Sequence, residues 1–530
     1  MYGMTLRIIA DACGGILQIP KGQEHLADTE VTAIVTDSRK AGPGSLFAAI
    51  VGERVDGHTF IPQVFAQGAI CVLSEKDVPE AGGCVIKVPS TLTALKGIAG
   101  CYRRMLGIPV VGVTGSVGKT STKEMIASVL AQKYRVHKTK GNFNNELGLP
   151  LTIFDLDDTH EIAVLEMGIS NFGEMHRLAQ IARPDTCVIT NIGQCHLEFL
   201  GDRDGVLRAK TEIFDFLRED GYIVLNGNDD KLVTVRNVDG IEPVFYGIAE
   251  ETGDGETGDG SSFHFFQASD SAGLSKCNEE PSPVSLSYYA TNVRPLGLGG
   301  IACTVHTPEG AFEVKIPIPG QHMVMNALAA AAVGAHYGLS PEQIKDGIEN
   351  VEHVSGRLNV IETERFTLID DCYNANPMSM KAALDVLAGV RAEQSQGTLV
   401  RERDLDGEGM PDSDGNGTRT RTQEGERNPA GARRVAILGD MFELGPDELA
   451  LHAGVGEHAA KSGIDLLIAV GERSRSMYEA AREAGMTQAV WLERVEDLLA
   501  QTDTLLQPGD TILIKASHGM HFERIVDILL

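Results

Sequence analysis

The sequence has little basic charge to spare: Lys and Arg number 46 against 74 Asp and Glu, a formal charge of −28. A nonspecific nucleic-acid binder needs a basic stripe, so no nucleic-acid partner is expected, and an acidic surface suits anionic lipid poorly. Long apolar runs are missing too, which excludes a membrane-spanning helix. The first residues, "MYGMTLRIIADACGG", lack the charged and apolar regions of a secretory signal, so none is expected. The nine cysteines are scattered, odd in number and never spaced C-x-x-C. That pattern excludes a disulfide framework or zinc site and fits reduced thiols of a cytoplasmic protein. Tryptophan occurs once, yet the apolar fraction of 42% is ordinary for a globular chain. At 530 residues the chain is too long for one core, and two to four domains are expected.

What is present centres on "VVGVTGSVGKTSTKEMIASVL", residues 110–130. The apolar run 110–113 suits a buried strand, and Met125, Ile126, Val129 and Leu130 recur at helical spacing. Between them lie Gly112, Gly115 and Gly118, then Lys119 and Thr120. Glycines let backbone N–H groups curl around an anion, and the next helix turns its positive end toward it. Lys119 would reach the β/γ-phosphates and the Thr120 hydroxyl a Mg²⁺ ion. The strict G-x-x-x-x-G-K-[ST] pattern fails by one residue, because Val113 stands where its first glycine belongs. Candidates for the phosphates are Gly112, Thr114, Gly115, Ser116, Val117, Gly118, Lys119, Thr120 and Ser121. The loop says nucleotide; it does not say which reaction.

Around it the chain reads as α/β in three domains. Residues 1–107 form a smaller α/β unit with short strands such as "GSLFAAI" and "AICVLS". Residues 108–353 alternate strands ("EIAVLEMG", "DTCVITNIG", "GYIVLNGND") with helices, which predicts a mainly parallel sheet. Residues 354–530 repeat the pattern with "FTLIDD", "RRVAILGD", "DLLIAVG" and "DTILIKAS", a Rossmann-like domain. Residues 250–283 carry the tandem "ETGDGETGDG" and a Ser/Glu/Pro-rich tail, residues 395–432 have almost no apolar content, and both are expected to be disordered insertions. Within the second, Asp412, Asp414, Asn416 and Gly417 resemble the start of a calcium loop, but position twelve is Gln423 and no amphipathic helices flank it. A solvated linker is the better reading.

Polar residues end the central strands. "VLEMGIS" ends on Glu166, a carboxylate able to ligand Mg²⁺; "VITNIGQCHLEFLG" places Asn191 and His196; "RAKTEIF" puts Lys210 on a helix. Singly, these could be a turn cap, a surface histidine and a solvated lysine. Together, at successive strand ends after a phosphate loop, they point to one site.

The motifs "GVTGSVGKTSTKE", "GNFNNELGLPLT", "LEMG", "TNIGQCHLEFLG", "AKTEIF", "GRLNV", "DDCYNANPMSMKAAL" and "LGDMFELG", in this order, resemble the Mur ligases of bacterial cell-wall synthesis. "DDCYNANPMSM" and "LGDMFELG" are most similar to the members that add D-alanyl-D-alanine to UDP-N-acetylmuramoyl-tripeptide, and "TDSRKAGPGSLFAAIVGERVDGHTF" to their uridine-nucleotide domain. The resemblance implies an N-terminal UDP-sugar domain, a central ATPase and a C-terminal domain that closes over the nucleotide. It implies that a peptide carboxylate attacks the γ-phosphate of ATP and that an amine captures the acyl phosphate. It implies Thr120, Glu166 and His196 as Mg²⁺ ligands, with Lys210 as a carbamate; Lys119, His196 and Lys210 become the catalytic set. Asn326, Arg357, Asp371, Asn374 and Asn376 are implied for the nucleoside end of ATP. Ser38 and Arg39 are implied for the uridine diphosphate, Asn144 and Asn145 for the muramoyl peptide, and Lys515 for substrate. A monomer is expected.

Three departures from the family pattern stand out: Met323 where Asn is usual, His518 where Arg is usual, and Cys195 for a small Ala. Competing readings are a sibling or folylpolyglutamate-type ligase with another amine acceptor, a P-loop ATPase without ligase activity, and a non-catalytic relative. "YNANP" argues against the first; Glu166 and His196 in place of a strand-end Asp argue against the second. Lys119, Glu166, His196 and Lys210 together argue against the third.

Overall fold

The computed structural model describes residues 1–52, 54–78, 82–249, 284–401 and 433–530, with 391–401 as backbone alone. Three sheets form, as the alternation of strand and helix signals requires, and most of their strand pairs are parallel. The expected insertion 250–283 lies outside the described residues, as does the calcium-like run Asp412–Gly417. Residues 395–401, expected in the second insertion, instead continue the helix Pro377–Arg401. No proline interrupts the helix after Pro377.

By contacts the chain divides into two compact units, the first comprising Met1–Thr291, Val305–Phe312 and Met325–Val351. This unit holds the five-stranded sheet and the parallel strands of the nine-stranded one. The five-stranded one orders Ile16–Gln18, Cys84–Lys87, Cys71–Ser74, Leu46–Ala48 and Ile34–Val35, with only the Ile16–Gln18 edge antiparallel. In the second sheet Val136–Lys138, Ile162–Glu166, Val110–Thr114, Thr186–Ile189, Tyr222–Asn226 and Val244–Ile248 follow one another, all parallel. The phosphate-loop strand is thus central, and its five residues are all buried.

One helix welds the two sheets together. Thr91–Leu106 starts at the Ser90 cap, ends at left-handed Gly107, and buries Ala94, Leu95, Ile98, Ala99 and Tyr102 along one face. Tyr102 donates from its hydroxyl to the Leu156 carbonyl at 2.7 Å, and Arg103 donates to the Ala182 carbonyl and to Asp185, each at 2.8 Å. A single hydrophobic core accordingly runs from Met4 to Val284.

The second unit comprises Asn292–Thr304, Glu313–Val324 and Glu352–Leu530. Its six-stranded sheet orders Asn359–Glu362, Thr367–Asp370, Thr511–Lys515, Arg434–Gly439, Leu466–Val470 and Ala489–Leu492, parallel except at the Asn359–Glu362 edge. Among the described residues no helix is long and apolar enough to cross a membrane, and every cysteine is free.

Candidate functional site

The strand Val110–Thr114 runs into a loop of four residues, and the helix Lys119–Leu130 opens behind it. Two glycines shape the loop. Gly115 has φ +148°, and a Cβ there would lie 1.9 Å from Thr190 Oγ1; Gly118 has φ +81° at the helix entrance. Gly112 stands apart from them inside the strand, where a Cβ would meet Met167 Sδ at 3.1 Å and Pro184 Cβ at 3.2 Å. Close packing gives a reason for glycine at that position.

Asn191 clamps the loop from the neighbouring strand end. Its Oδ1 accepts from the Val117 N–H at 2.9 Å, its Nδ2 donates to the Val117 carbonyl at 3.0 Å, and its own carbonyl accepts from the Ser116 N–H at 3.0 Å. Two of the loop N–H groups expected to cradle phosphate are therefore committed to Asn191. The Ser116 hydroxyl accepts from the Gly193 N–H at 2.8 Å and from Cys195 Sγ at 3.1 Å, and the Thr114 hydroxyl donates to the Met167 carbonyl at 2.8 Å. What the loop offers an anion is the first turn of the helix, with Thr120 buried, Ser121 half-buried and Lys119 over the loop, its Nζ donating to the Gly115 carbonyl at 2.9 Å. Asn326 joins from a distant part of the chain, accepting the Thr122 hydroxyl at 2.9 Å. Met323, one helical turn before it, is buried.

Glu166 ends the adjacent strand and is 2% exposed. Its Oε1 accepts from Asn144 Nδ2 at 2.8 Å; its Oε2 is buried with no hydrogen-bond partner. A buried carboxylate oxygen left without a donor is costly, and a hard cation is the partner that suits it. The residues present therefore fit a magnesium ion, although no three His, Cys, Asp or Glu side chains among the described residues converge into a ready-made cluster. His196 adopts a left-handed φ of +53° at the start of the helix Leu197–Leu200. Lys210, on the helix Arg203–Thr211, is 1% exposed; burial pulls its ammonium down to about 8, Cys195 works against that, and the charge of Lys119 adds to it.

Lys123 escaped the sequence reading, because a lysine one turn into a helix reads as solvated. It is 1% exposed, donates to the Thr139 carbonyl at 2.7 Å, and stands 2.8 Å from Glu124 and 3.9 Å from Glu166 Oε2. Asn145, expected to meet substrate, accepts the Leu147 and Gly148 N–H groups at the start of the helix Gly148–Phe154. Ser38 is half-buried, whereas Arg39 is exposed and forked onto Asp37, which it holds down to about 2.

The second unit gathers its own expected residues. Lys515 Nζ, buried, donates to Asp371 Oδ2 at 2.6 Å and to the Asn374 carbonyl at 2.9 Å. Asp371 also accepts the Leu358 N–H at 3.2 Å, beside Arg357, whose guanidinium lies 4.0 Å over the Tyr373 ring. Asn376 caps the helix Pro377–Arg401, accepting the Ser379 N–H at 2.9 Å. His518 is exposed, its ring 5.6 Å from that of Tyr373.

Three family models match the chain in order: Mur ligase family, catalytic domain, over residues 30–103; Mur ligase middle domain, over 113–334; and Mur ligase, glutamate ligase domain, over 421–518. The chain is 35% identical to the UDP-N-acetylmuramoyl-tripeptide–D-alanyl-D-alanine ligase of Bacillus subtilis, covering 100% of this chain and 99% of that one. It is 32% identical to the ligase of that name from Escherichia coli, with the same coverage. A crystal structure of MurF from Acinetobacter baumannii superposes with a TM-score of 0.76 at 28% identity, covering 99% of this chain and 98% of that one. With a nucleotide loop of this build and a full-length relative at 35% identity, the chain belongs to the Mur ligase family.

Proposed function

We propose that this chain is an ATP-dependent amide ligase that joins D-alanyl-D-alanine to UDP-N-acetylmuramoyl-tripeptide, giving the pentapeptide precursor of peptidoglycan, ADP and phosphate. The observation that carries the reading is the end-to-end 35% identity with a ligase of that name, spanning the phosphate loop, Glu166, His196 and Lys210 alike.

A carboxylate is a poor electrophile, and its hydroxide a poor leaving group; phosphorylation corrects both. The tripeptide carboxylate attacks the γ-phosphorus of ATP, ADP leaves, and the acyl phosphate forms. The dipeptide amine then attacks the activated carbonyl, and phosphate is expelled with the electron pair of the C–O bond. The protein positions several anions and offsets their charge. Lys119 and the first turn of its helix hold the β/γ-phosphates. Thr120, Glu166, His196 and carbamylated Lys210 would hold Mg²⁺, which supplies charge neutralisation between phosphates and carboxylate when bound. Residues 1–107, with Ser38 and Arg39, take the UDP-sugar; 108–353 hold the triphosphate, with Asn144 and Asn145 toward the peptide. Residues 354–530 supply Arg357, Asp371, Asn374 and Asn376 to the nucleoside and Lys515 to the substrate side. The enzyme acts as a cytoplasmic monomer.

The test is the mass of the product. UDP-N-acetylmuramoyl-tripeptide, ATP and Mg²⁺ are offered D-alanyl-D-alanine, single D-alanine, D-glutamate or diaminopimelate. Gain of the dipeptide alone is expected; gain of a single amino acid in its place would move the assignment to a sibling ligase.

A further inference from the structure

We propose that Lys123 is a positioning residue that keeps Glu166 charge-compensated, so that a divalent cation is taken up at Glu166 together with nucleotide phosphate and not alone. The inference rests on the reading of Glu166 as a metal ligand.

A fully buried ammonium is costly, so its partners define its use. Lys123 Nζ donates to the Thr139 carbonyl at 2.7 Å and pairs with Glu124 Oε1 at 2.8 Å. Burial works against a charged Glu124, yet Lys123 and Lys138 together hold its carboxyl below the usual range. Thr139, fully buried, serves both sides: its carbonyl takes the lysine proton, and its hydroxyl accepts the Glu166 N–H at 2.9 Å. One short segment thereby fixes the lysine and the backbone of the carboxylate against each other.

The remaining distance gives the inference its content. Glu166 Oε2 lies 3.9 Å from Lys123 Nζ, beyond hydrogen-bond reach but well within strong Coulomb range. The lysine spends its protons on Thr139 and Glu124, leaving Oε2 undonated while cancelling much of its field. Lys123 and Lys138 balance Glu124 and Glu166. A bare dication added there would place uncompensated positive charge in a buried position. The same ion arriving with phosphates would not.

Mn²⁺ alone is the probe, titrated against full-length enzyme without nucleotide and read by the electron paramagnetic resonance of the free ion. Lys123→Met should bind Mn²⁺ about tenfold or more tightly than wild type, Lys123→Arg should stay within about twofold of it, and ADP should narrow the gap. Mn²⁺ binding that is unchanged or weakened in folded Lys123→Met overturns the proposal. If Lys123→Met fails to fold, the double variant Lys123→Met with Glu124→Gln removes the stranded carboxylate and carries the same expectation. Glu166→Gln separates the two readings. With ADP present, Mn²⁺ binding unaffected by Glu166→Gln would refute the metal-ligand assignment itself, whereas ADP-supported binding lost in Glu166→Gln without a nucleotide-free gain in Lys123→Met would refute the role of Lys123 alone.

Discussion

One amide side chain, Asn191, bonds both backbone polar groups of Val117 and so fixes the loop between the strand Val110–Thr114 and the helix Lys119–Leu130. Asn191→Ala leaves the Val117 N–H unpaired, while the Val117 carbonyl keeps the Thr190 hydroxyl at 2.6 Å. The substitution is expected to cost about 1–3 kcal/mol in unfolding free energy, measured by urea titration, and to raise KM for ATP about tenfold. Unchanged KM would mean that the loop keeps its shape without the clamp. Lys119→Ala removes the side-chain charge proposed for the phosphates and should lower kcat by about 100-fold or more. Some of this was readable beforehand. Glu166 was readable only in company: alone it could cap a turn, and its place with Asn191, His196 and Lys210 at successive strand ends after the phosphate loop is what singled it out. Gly112 was counted both within the strand run 110–113 and among the phosphate candidates, and the tight approach of Met167 and Pro184 gives it a packing reason inside the strand. Lys123 was silent, since burial of a helical lysine is decided by the sheet beneath it and leaves no mark on local spacing.

At the scale of elements, the helices that brace the phosphate-loop helix were the most legible. The run "SPEQIKDGIEN" carries its own start signal, and the structure shows the reciprocal capping box between Ser340 and Gln343 at the head of the helix Pro341–Glu349. Ser340→Ala should cost about 1 kcal/mol in unfolding free energy. The close approach that this helix makes was not legible. A Cβ on Gly347 would lie 2.4 Å from Val129 Cα on the helix Lys119–Leu130. Gly347→Ala should therefore destabilise by about 1–3 kcal/mol although alanine is the better helix former, measured against Ser340→Ala in the same titration. A stabilised Gly347→Ala would contradict the packing described. The strand Leu286–Pro295 eluded a reading built on strand–helix repeats, because no helix pattern separates it from Val244–Ile248, the strand it pairs with far back in the chain.

For the whole molecule, three sheets were foreseeable from the alternation of strand and helix patterns, whereas their grouping into two compact units was not. The helix Thr91–Leu106 decides that grouping through Tyr102 and Arg103, whose partners lie more than fifty residues away. Stability against acid is also a molecular property with an assignable source. His452 is fully buried; it accepts the Met441 N–H at 2.9 Å, its other ring nitrogen lies 2.7 Å from the Glu448 carbonyl, and burial lowers its pKa. The unfolded chain then binds a proton that the folded one refuses, so its contribution is full above about pH 6.5 and is lost as pH falls below that. The stability gap between wild type and His452→Gln should shrink between about pH 7 and about pH 5; a gap independent of pH would contradict a neutral buried imidazole. The central claim is that the loop holds ATP so that a peptide carboxylate can be phosphorylated and captured by an amine. The direct measurement is phosphate release with ATP, Mg²⁺ and UDP-N-acetylmuramoyl-tripeptide, with and without D-alanyl-D-alanine, beside Lys119→Ala. Sustained release that requires both substrates and vanishes in the variant is predicted; release indifferent to either substrate would contradict it.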